Sequence, residues 1–400
     1  MWVKRWILLA VFGIIMISMG FVTVILEQNP GNKTFAGVVI MVGILAVITG
    51  IKRIIKSLVG VFPKNEGELV DKIYKTRILE RGPRVVVIGG GTGLSTMLHG
   101  LKEYTSNITA VVTVADDGGS SGRLRQDFGV LPPGDIRNCL VALADAEPLM
   151  SKLFQFRFDH GDLGGHSFGN LFITAMTKVT GDFDAAIKES SKVLAIRGSV
   201  VPVTLDKVML TAVHADGSES VGESQIPKAS SPIKKIRLIP VNSRPTEEAL
   251  GAIKKADAIV LGPGSLYTSV MPNLLVGNVY QEIINSKAVK IYVCNVMTQK
   301  GETADYKASD HLRAIVEHTS PGIVDYCIIN TARIPAEMIA KYRTEDSAPV
   351  VPDSENIRKM KCKVIEAHII NARDYVRHDS DKLAKIIMDL AGSLKKTKGQ

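Results

Sequence analysis

The stretch Val85-Val-Val-Ile-Gly-Gly-Gly-Thr-Gly-Leu-Ser95 constrains the fold more than any other part of the chain. Four apolar β-formers run into four glycines within five residues, and then into a helix-compatible segment. That order describes a buried strand feeding a helix through a tight turn. A helix entered this way presents free backbone N–H groups, which favour an anion and most often a phosphate. The loop is not G-x-G-x-x-G, because Leu94 or Thr96 stands where the third glycine is required, and no Lys follows to make a Walker loop. A strand–helix turn without ligand is the lesser alternative, since four glycines in five residues favour close approach to a ligand. A second loop of the same kind, Gly262-Pro-Gly-Ser-Leu-Tyr-Thr-Ser269, follows the apolar run 258–261. Two such loops point to a nucleotide or phosphosugar.

From residue 83 onward, apolar runs alternate with helical patterns. Strands are expected at 84–88, 108–114, 258–261, 290–296 and 324–330, and helices at 94–101, 246–256 and 308–318. The runs are apolar throughout, not at every second residue, which suits a parallel sheet covered on both faces. The fold class expected is α/β, a Rossmann-like, doubly wound, mostly parallel sheet. Shorter strands at 205–210, 211–215 and 234–240, with an Asp216-Gly217 turn, predict a small additional lobe.

The first sixty residues differ from the rest. Residues 7–26 and 35–51 form uncharged runs of about the length needed to span a bilayer. The short polar link between them reads as a turn, and no small-x-small cleavage site precedes Glu27, so a two-helix membrane hairpin is favoured over a signal peptide or a buried pair. Lys4 and Arg5 precede the first run, and Lys52, Arg53 and Lys56 follow the second. By the positive-inside rule both ends, and therefore the main domain, lie in the cytoplasm. The division expected is a membrane hairpin and juxtamembrane segment at 1–62, a linker at 63–82 with a helix at 68–80, the nucleotide-binding domain at 83–390 and a disordered basic tail at 391–400. Cys139, Cys294, Cys327 and Cys362 are scattered among apolar neighbours and read as reduced thiols. The net charge of +9 owes part of its value to the anchor and the tail, and anionic lipid accounts for the anchor's share. No basic helix with interleaved aromatics suggests a nucleic-acid partner.

Further chemistry-bearing residues cluster at predicted strand ends. Asp116 and Asp117 follow the second strand and are candidates to hold Mg²⁺, accept sugar hydroxyls or act as a base. Adjacent aspartates on extended backbone diverge, so only one is expected to face a ligand. Arg123 and Arg125 can neutralise phosphate. Asp135 opens a helix, with Arg137 and Asn138 on its first turn, where a cation is explained by a bound anion or an Asp partner. Gly165-His-Ser-Phe-Gly169 matches a nucleophile elbow formally, but no buried strand precedes it, so His166, Ser167 and Asn170 read instead as polar groups at a helix start. Asp159, His160, Asp162 and His166 follow no recognised metal spacing. Ser265, Thr268, Ser269 and Asn273 belong to the second glycine loop, and 295–303 forms a further polar loop after another strand. Four such loops imply one cleft at the carboxyl edge of the sheet.

Together, Ile88-Gly-Gly-Gly-Thr-Gly-Leu-Ser95, Val114-Ala-Asp-Asp-Gly-Gly-Ser-Ser-Gly-Arg-Leu-Arg125, Pro132-Pro-Gly-Asp-Ile-Arg-Asn138, Gly165-His-Ser-Phe-Gly-Asn170, Gly262-Pro-Gly-Ser-Leu-Tyr-Thr-Ser269 and Tyr292-Val-Cys-Asn-Val-Met-Thr-Gln299 resemble the CofD/YvcK-like family, and more closely its YvcK, or gluconeogenesis-factor, branch. The resemblance covers about residues 84–380. It implies binding of a UDP-sugar, notably UDP-N-acetylglucosamine, without a required cofactor, and a role in cell shape, wall-precursor metabolism and gluconeogenic growth. It places Gly90, Gly91, Thr92, Gly93, Ser95, Gly264 and the polar residues named above around that ligand, with Thr92 and Asn273 in contact with it. Tyr342 in Lys341-Tyr-Arg-Thr-Glu345 and Arg377 in Asp374-Tyr-Val-Arg-His-Asp379 match further ligand positions. Wall-synthesis or regulatory proteins and a second copy of the chain are partners it leaves open. The sister branch transfers a phospholactyl group from a guanylylated donor with Mg²⁺, and Asp116 or Asp117 is the natural metal ligand or base in that alternative. The transferases tend toward Gly-Pro-Ser-Asn-Pro where this chain has Gly-Pro-Gly-Ser-Leu-Tyr, which favours the binding reading. A purely structural membrane partner is the remaining alternative.

Overall fold

A computed structural model describes residues 3–26, 29–59, 77–145, 148–372 and 375–397. The chain divides into two units, 1–76 and 77–400.

In the first unit, α1 (Val3–Leu26) and α2 (Pro30–Val59) pack against each other. Their apolar spans, Lys4–Leu26 and Pro30–Ile54, have mean hydropathies of 2.6 and 2.5 and are long enough to cross a bilayer. Large side chains such as Leu8, Phe12, Met41 and Leu45 face outward. The helices meet through small residues. A Cβ on Gly13 would stand 2.7 Å from the Gly43 carbonyl oxygen, and one on Gly43 2.7 Å from that of Gly13. Gly20 abuts Ala36 and Ile40, and Gly50 abuts Ala10 and the Trp6 carbonyl. Close backbone approach of this kind is how helices associate where lipid removes the hydrophobic drive between them. Cysteines placed at positions 10 and 50 are therefore expected to crosslink, and Gly43→Leu to suppress the reaction. An undiminished crosslinking rate in Gly43→Leu would show that the glycine contact does not set the helix separation.

The second unit is built on a seven-stranded sheet in the order β10-β9-β8-β7-β1-β2-β3, every adjacent pair parallel. The strands are β1 (Val85–Gly89), β2 (Ile108–Val112), β3 (Ser199–Pro202), β7 (Ala258–Leu261), β8 (Val289–Val293), β9 (Tyr326–Asn330) and β10 (Lys363–Ala367). β1 is an interior strand between β7 and β2, and Val85 to Ile88 are at most 2 % exposed because helices cover both faces. The doubly wound parallel sheet matches the expectation from sequence, with strand ends shifted by a few residues.

An antiparallel lobe, β5-β4-β6, is formed by β4 (Met209–His214), β5 (Glu219–Val221) and β6 (Ile233–Ile239). The two strands expected at 205–210 and 211–215 are thus one. Residues 204–206 are taken up by the crossing from the main sheet, where Thr204 pairs with Pro245 and the Asp206 carboxylate accepts the Arg244 N–H at 2.6 Å. A hairpin of β11 (Ile370–Ala372) and β12 (Val376–His378) completes the unit.

Two segment boundaries differ from expectation. Of the stretch read as a linker, 63–76 lie outside the described residues, as does most of the helix expected at 68–80. Residues 77–82 belong to the globular unit: Leu79 is buried, and the Asn107 amide donates to the carbonyls of Glu80 and Gly82. The tail is corrected as well. Ser380–Thr397 is one helix, because Leu383, Ala384, Ile387 and Ala391 form a buried i, i+4 stripe that carries the basic residues into helix. Residues 398–400 lie outside the described residues.

Candidate functional site

The chain runs outward from β1 through β2 to β3, then returns on the other side of β1 and runs outward again from β7 to β10. Strand order therefore reverses between β1 and β7, the point where open α/β sheets bind ligands at their carboxyl edge. Gly89 and Leu261 end these two strands, so both glycine loops open at the reversal. A cleft of about 750 Å³ lies there. Gly91, Thr92, Gly93, Gly264, Ser265 and Thr268 line it together. A Cβ on Gly93 would stand 2.9 Å from the Pro263 carbonyl oxygen and 3.2 Å from the Gly264 nitrogen, so the loops touch backbone to backbone.

Polar side chains hold this arrangement. Glu302 accepts the Tyr267 N–H at 3.2 Å and the Thr268 hydroxyl at 3.1 Å, and Gln299 donates to the Ser265 hydroxyl at 2.8 Å. The loop after β8 thereby fixes the loop after β7. Asn273, read from sequence as a ligand contact, is fully buried beneath its loop and donates to the carbonyls of Gly89 and Ser269 at 3.1 and 2.8 Å. It straps the second loop to β1 and does not line the cleft. Gly90 also lies behind the surface, in van der Waals reach of Asp135, whose carboxylate accepts the Gly91 N–H. One of the amides expected to await a phosphate is thus occupied by a side chain.

The aspartates diverge. Asp116 lines the cleft, its carboxylate accepting the Gly118 N–H at 2.8 Å. Asp117 turns to the antiparallel lobe, accepts the Ser224 N–H at 2.8 Å, and packs against Gly222. It holds the loop that brings Glu223 and Pro227 to the cleft. The opposite wall comes from the C-terminal hairpin. Tyr375 and Arg377 line it together with Tyr342 of the helix Ala336–Arg343, whose hydroxyl accepts the Val376 N–H at 3.1 Å. A separate apolar cluster of Val296, Met297, Ile334, Met338 and Val376 supports this wall.

The electrostatics of the cleft depart from a plain phosphate site. Among the described residues, Asp116, Asp135, Glu223, Glu302 and Glu345 line it against two cations, Lys300 and Arg377. Burial raises the Asp116 carboxyl, and burial with Asp116 nearby brings Asp135 to about 6. Burial brings Glu302 to about 7, opposed by its bonds to Thr268 and Tyr267. Burial and the surrounding carboxylates, Asp116 first, bring Glu223 to about 8. His378 is buried with its Nε2 3.2 Å from the Cys294 carbonyl, and burial lowers it to about 4. Arg123 and Arg125 do not line the cleft, although the Arg125 charge partly offsets Asp116. Each spends its guanidinium on a carbonyl away from the cleft, Gly164 and Val208 respectively.

The other expected site residues form a network behind the aspartate loop. Ser120 Oγ lies 3.0 Å from His166 Nδ1 and accepts from the Asn170 amide at 3.1 Å. Arg137 donates to the Ser167 hydroxyl and to the Asn138 side-chain carbonyl, both at 2.6 Å. Ser167 caps the helix Phe168–Thr180 by accepting the Asn170 N–H. These contacts explain why Arg137 tolerates a helix N-terminus, and they make the group a scaffold outside the cleft lining. Ser95 bonds back to the Thr92 carbonyl. The candidate metal set at 159–166 does not assemble: His160 pairs with Asp159 at the surface while His166 is buried against Ser120. Among the described residues no three His, Cys, Asp or Glu side chains converge to hold a metal unaided. The polar loop 295–303, expected at the cleft, supplies Asn295, Gln299 and Glu302, whereas sequence reasoning missed Glu223 and Tyr375, and nothing local flags Glu223, which arrives from another lobe.

Known proteins bear on this geometry. Residues 85–370 match the family model for 2-phospho-L-lactate transferase CofD. A putative gluconeogenesis factor of Nostoc is 48 % identical over 98 % of this chain and 91 % of its own length, so that alignment reaches into the apolar N-terminal unit. The gluconeogenesis factor of Bacillus subtilis is 49 % identical over 77 % of this chain and 98 % of its own. A crystal structure of a UPF0052-family protein from Bacillus halodurans superposes with a TM-score of 0.75 at 49 % identity, over 77 % of this chain and 99 % of that one. With its matched residues spanning both glycine loops and the cleft walls, this chain belongs to the CofD/UPF0052 family, alongside the gluconeogenesis factors.

Proposed function

We propose that this protein is a membrane-anchored receptor for a nucleotide diphosphate sugar, with UDP-N-acetylglucosamine the preferred ligand, and that it acts by binding and not by turnover. The observation that carries this reading is the backbone contact between the two glycine loops, which gives a diphosphate donors from both sides of β1. Residues 92–93 and 264–265 hold the phosphates. Tyr342 and Arg377, across the cleft, take the base or sugar. The excess of carboxylates calls for a cation. Asp116 and Asp135 suit Mg²⁺ as oxygen donors, with phosphate oxygens and water filling the remaining positions. The clustered cations of the membrane hairpin support a cytoplasmic domain by the positive-inside rule. There it reports nucleotide-sugar supply to wall-synthesis or regulatory proteins, in keeping with roles in cell shape and gluconeogenic growth.

Calorimetric titration of the full-length protein in detergent tests the assignment. UDP-N-acetylglucosamine with Mg²⁺ is expected to bind at least about tenfold more tightly than GDP or NAD, a difference of roughly 1.4 kcal/mol. Equal affinities would defeat it. The acidic cleft also favours a second reading, Mg²⁺-dependent phospholactyl transfer. That reading requires GMP release from a guanylylated phospholactate donor when the deazaflavin alcohol is supplied, and no release under those conditions removes it.

A further inference from the structure

We propose that the paired outer ends of α1 and α2 form a binding site for the headgroup of an anionic phospholipid, built from Lys4, Arg5, Lys52 and Arg53 around Trp6. The inference rests on the hairpin's being a membrane anchor. The packing of Gly50 against the Trp6 carbonyl and Ala10 sets these two turns level with each other. Lys4 and Arg5 precede Trp6, and Lys52 and Arg53 follow Gly50, so four cations gather within about one turn of helix at one end of the hairpin. All four are exposed. Residues 3–26 and 29–59 contain no Asp or Glu, so nothing within these helices neutralises the cluster. The Arg53 guanidinium sits over the Trp6 ring, 5.2 Å from its centroid. Stacking of that kind orients the planar fork while leaving its N–H groups for oxygen acceptors.

The chemistry selects a lipid. A phosphodiester matches the guanidinium fork, and the surfaces beside the cluster are apolar and outward-facing. Ile7, Leu8, Val11 and Ile51 are 47 to 67 % exposed, which supplies a place for acyl chains that a free phosphate would not use. The other end of the hairpin offers no equivalent, since Lys33 is the one cation among its described residues.

The two tryptophans of the chain are Trp2 and Trp6, so intrinsic tryptophan fluorescence reports on this end alone. The full-length protein is reconstituted in phosphatidylcholine vesicles carrying a minor fraction of lipid brominated in the acyl chains, either phosphatidylglycerol or phosphatidylcholine. Per mole, brominated phosphatidylglycerol is expected to quench about fivefold more effectively, the preference that one basic residue at a membrane surface confers. The Lys4→Gln/Arg5→Gln/Lys52→Gln/Arg53→Gln variant is expected to lose that preference while still being quenched by both lipids, and Lys33→Gln to retain it. Equal quenching by the two lipids in the unaltered protein would overturn the headgroup site while leaving the anchor intact. Quenching by neither would overturn the anchor, and the site with it.

Discussion

Gly93→Val is expected to abolish nucleotide-sugar binding and to destabilise the globular unit by about 2–3 kcal/mol. Any side chain at this position meets backbone: the Pro263 carbonyl oxygen at 2.9 Å, its carbon at 3.0 Å and the Gly264 nitrogen at 3.2 Å. Backbone of a fixed loop cannot rotate aside as a flexible side chain can. The second loop is also tied down from three directions, by Glu302, Gln299 and Asn273. The substitution must therefore separate the two loops or shift β1 against β7, and either movement takes the phosphate donors out of register. Ala at the same site is expected to give a graded loss. Gly251→Ala is the control, because a Cβ there meets nothing within 4 Å and the residue lies within the helix Glu247–Lys255, where Ala is the better helix former. Calorimetry alongside thermal unfolding checks the result. Full affinity in Gly93→Val would mean that loop contact does not define the site.

Raising the pH from 6.5 to 8.5 is expected to lower the melting temperature of the ligand-free protein by roughly 5 °C. Glu302 and Glu223 titrate in the fold at about 7 and about 8, above the 4.5 of an unperturbed Glu. An acid whose pKa is raised by folding holds a proton that the unfolded chain has released. Its contribution is complete below the unfolded pKa and disappears as pH rises through the folded one. Glu223 carries the larger share because its folded pKa of about 8 lies inside the window, while Glu302, already partly ionised at pH 6.5, adds about 1 kcal/mol. Glu223 opens to the cleft, and solvent screening reduces its part. His378 works in the opposite sense, as do His166, His311 and His318, whose pKa values burial also lowers; their contribution is lost as pH falls through about 6.5, so only its upper tail lies inside the window and partly offsets the carboxylates. Glu302→Gln is expected to flatten the profile in part. Nucleotide sugar without Mg²⁺ is expected to bind more weakly as these acids ionise, and Mg²⁺ to restore affinity most at the alkaline end. A melting temperature that holds or rises across the window would refute the account.

Much of the main sheet was legible from local pattern. β7 falls on the apolar run that predicted it, and the helix Ala308–His318 on its amphipathic period, because burial on both faces and a 3.6-residue repeat leave direct marks. β3 left no such mark: it is four residues long and ends in Pro202. The candidate site was legible only by loop. Asp116 and Asp117 are neighbours with the same chemistry, yet one faces the cleft and the other grips Ser224, a choice made by a lobe more than a hundred residues away. Arg137, His166 and Asn170 read as ligand contacts because polar residues at helix starts usually find an external partner. Here their side chains bond to Ser120 and Ser167.

The amino-acid order alone settled the parallel α/β class, the two membrane-length helices and the presence of two glycine loops at strand ends. Each of these depends on interactions within a few residues: side-chain periodicity, chain stiffness and the backbone freedom of glycine. The tertiary structure decided that the loops meet across a strand reversal, that the cleft between them is acidic, and that Asn273 and the histidine network stand behind it. Those outcomes depend on which distant backbones pack together. The same packing strips water from Glu223 and Glu302 and so sets their charge, a property that no short stretch of sequence contains.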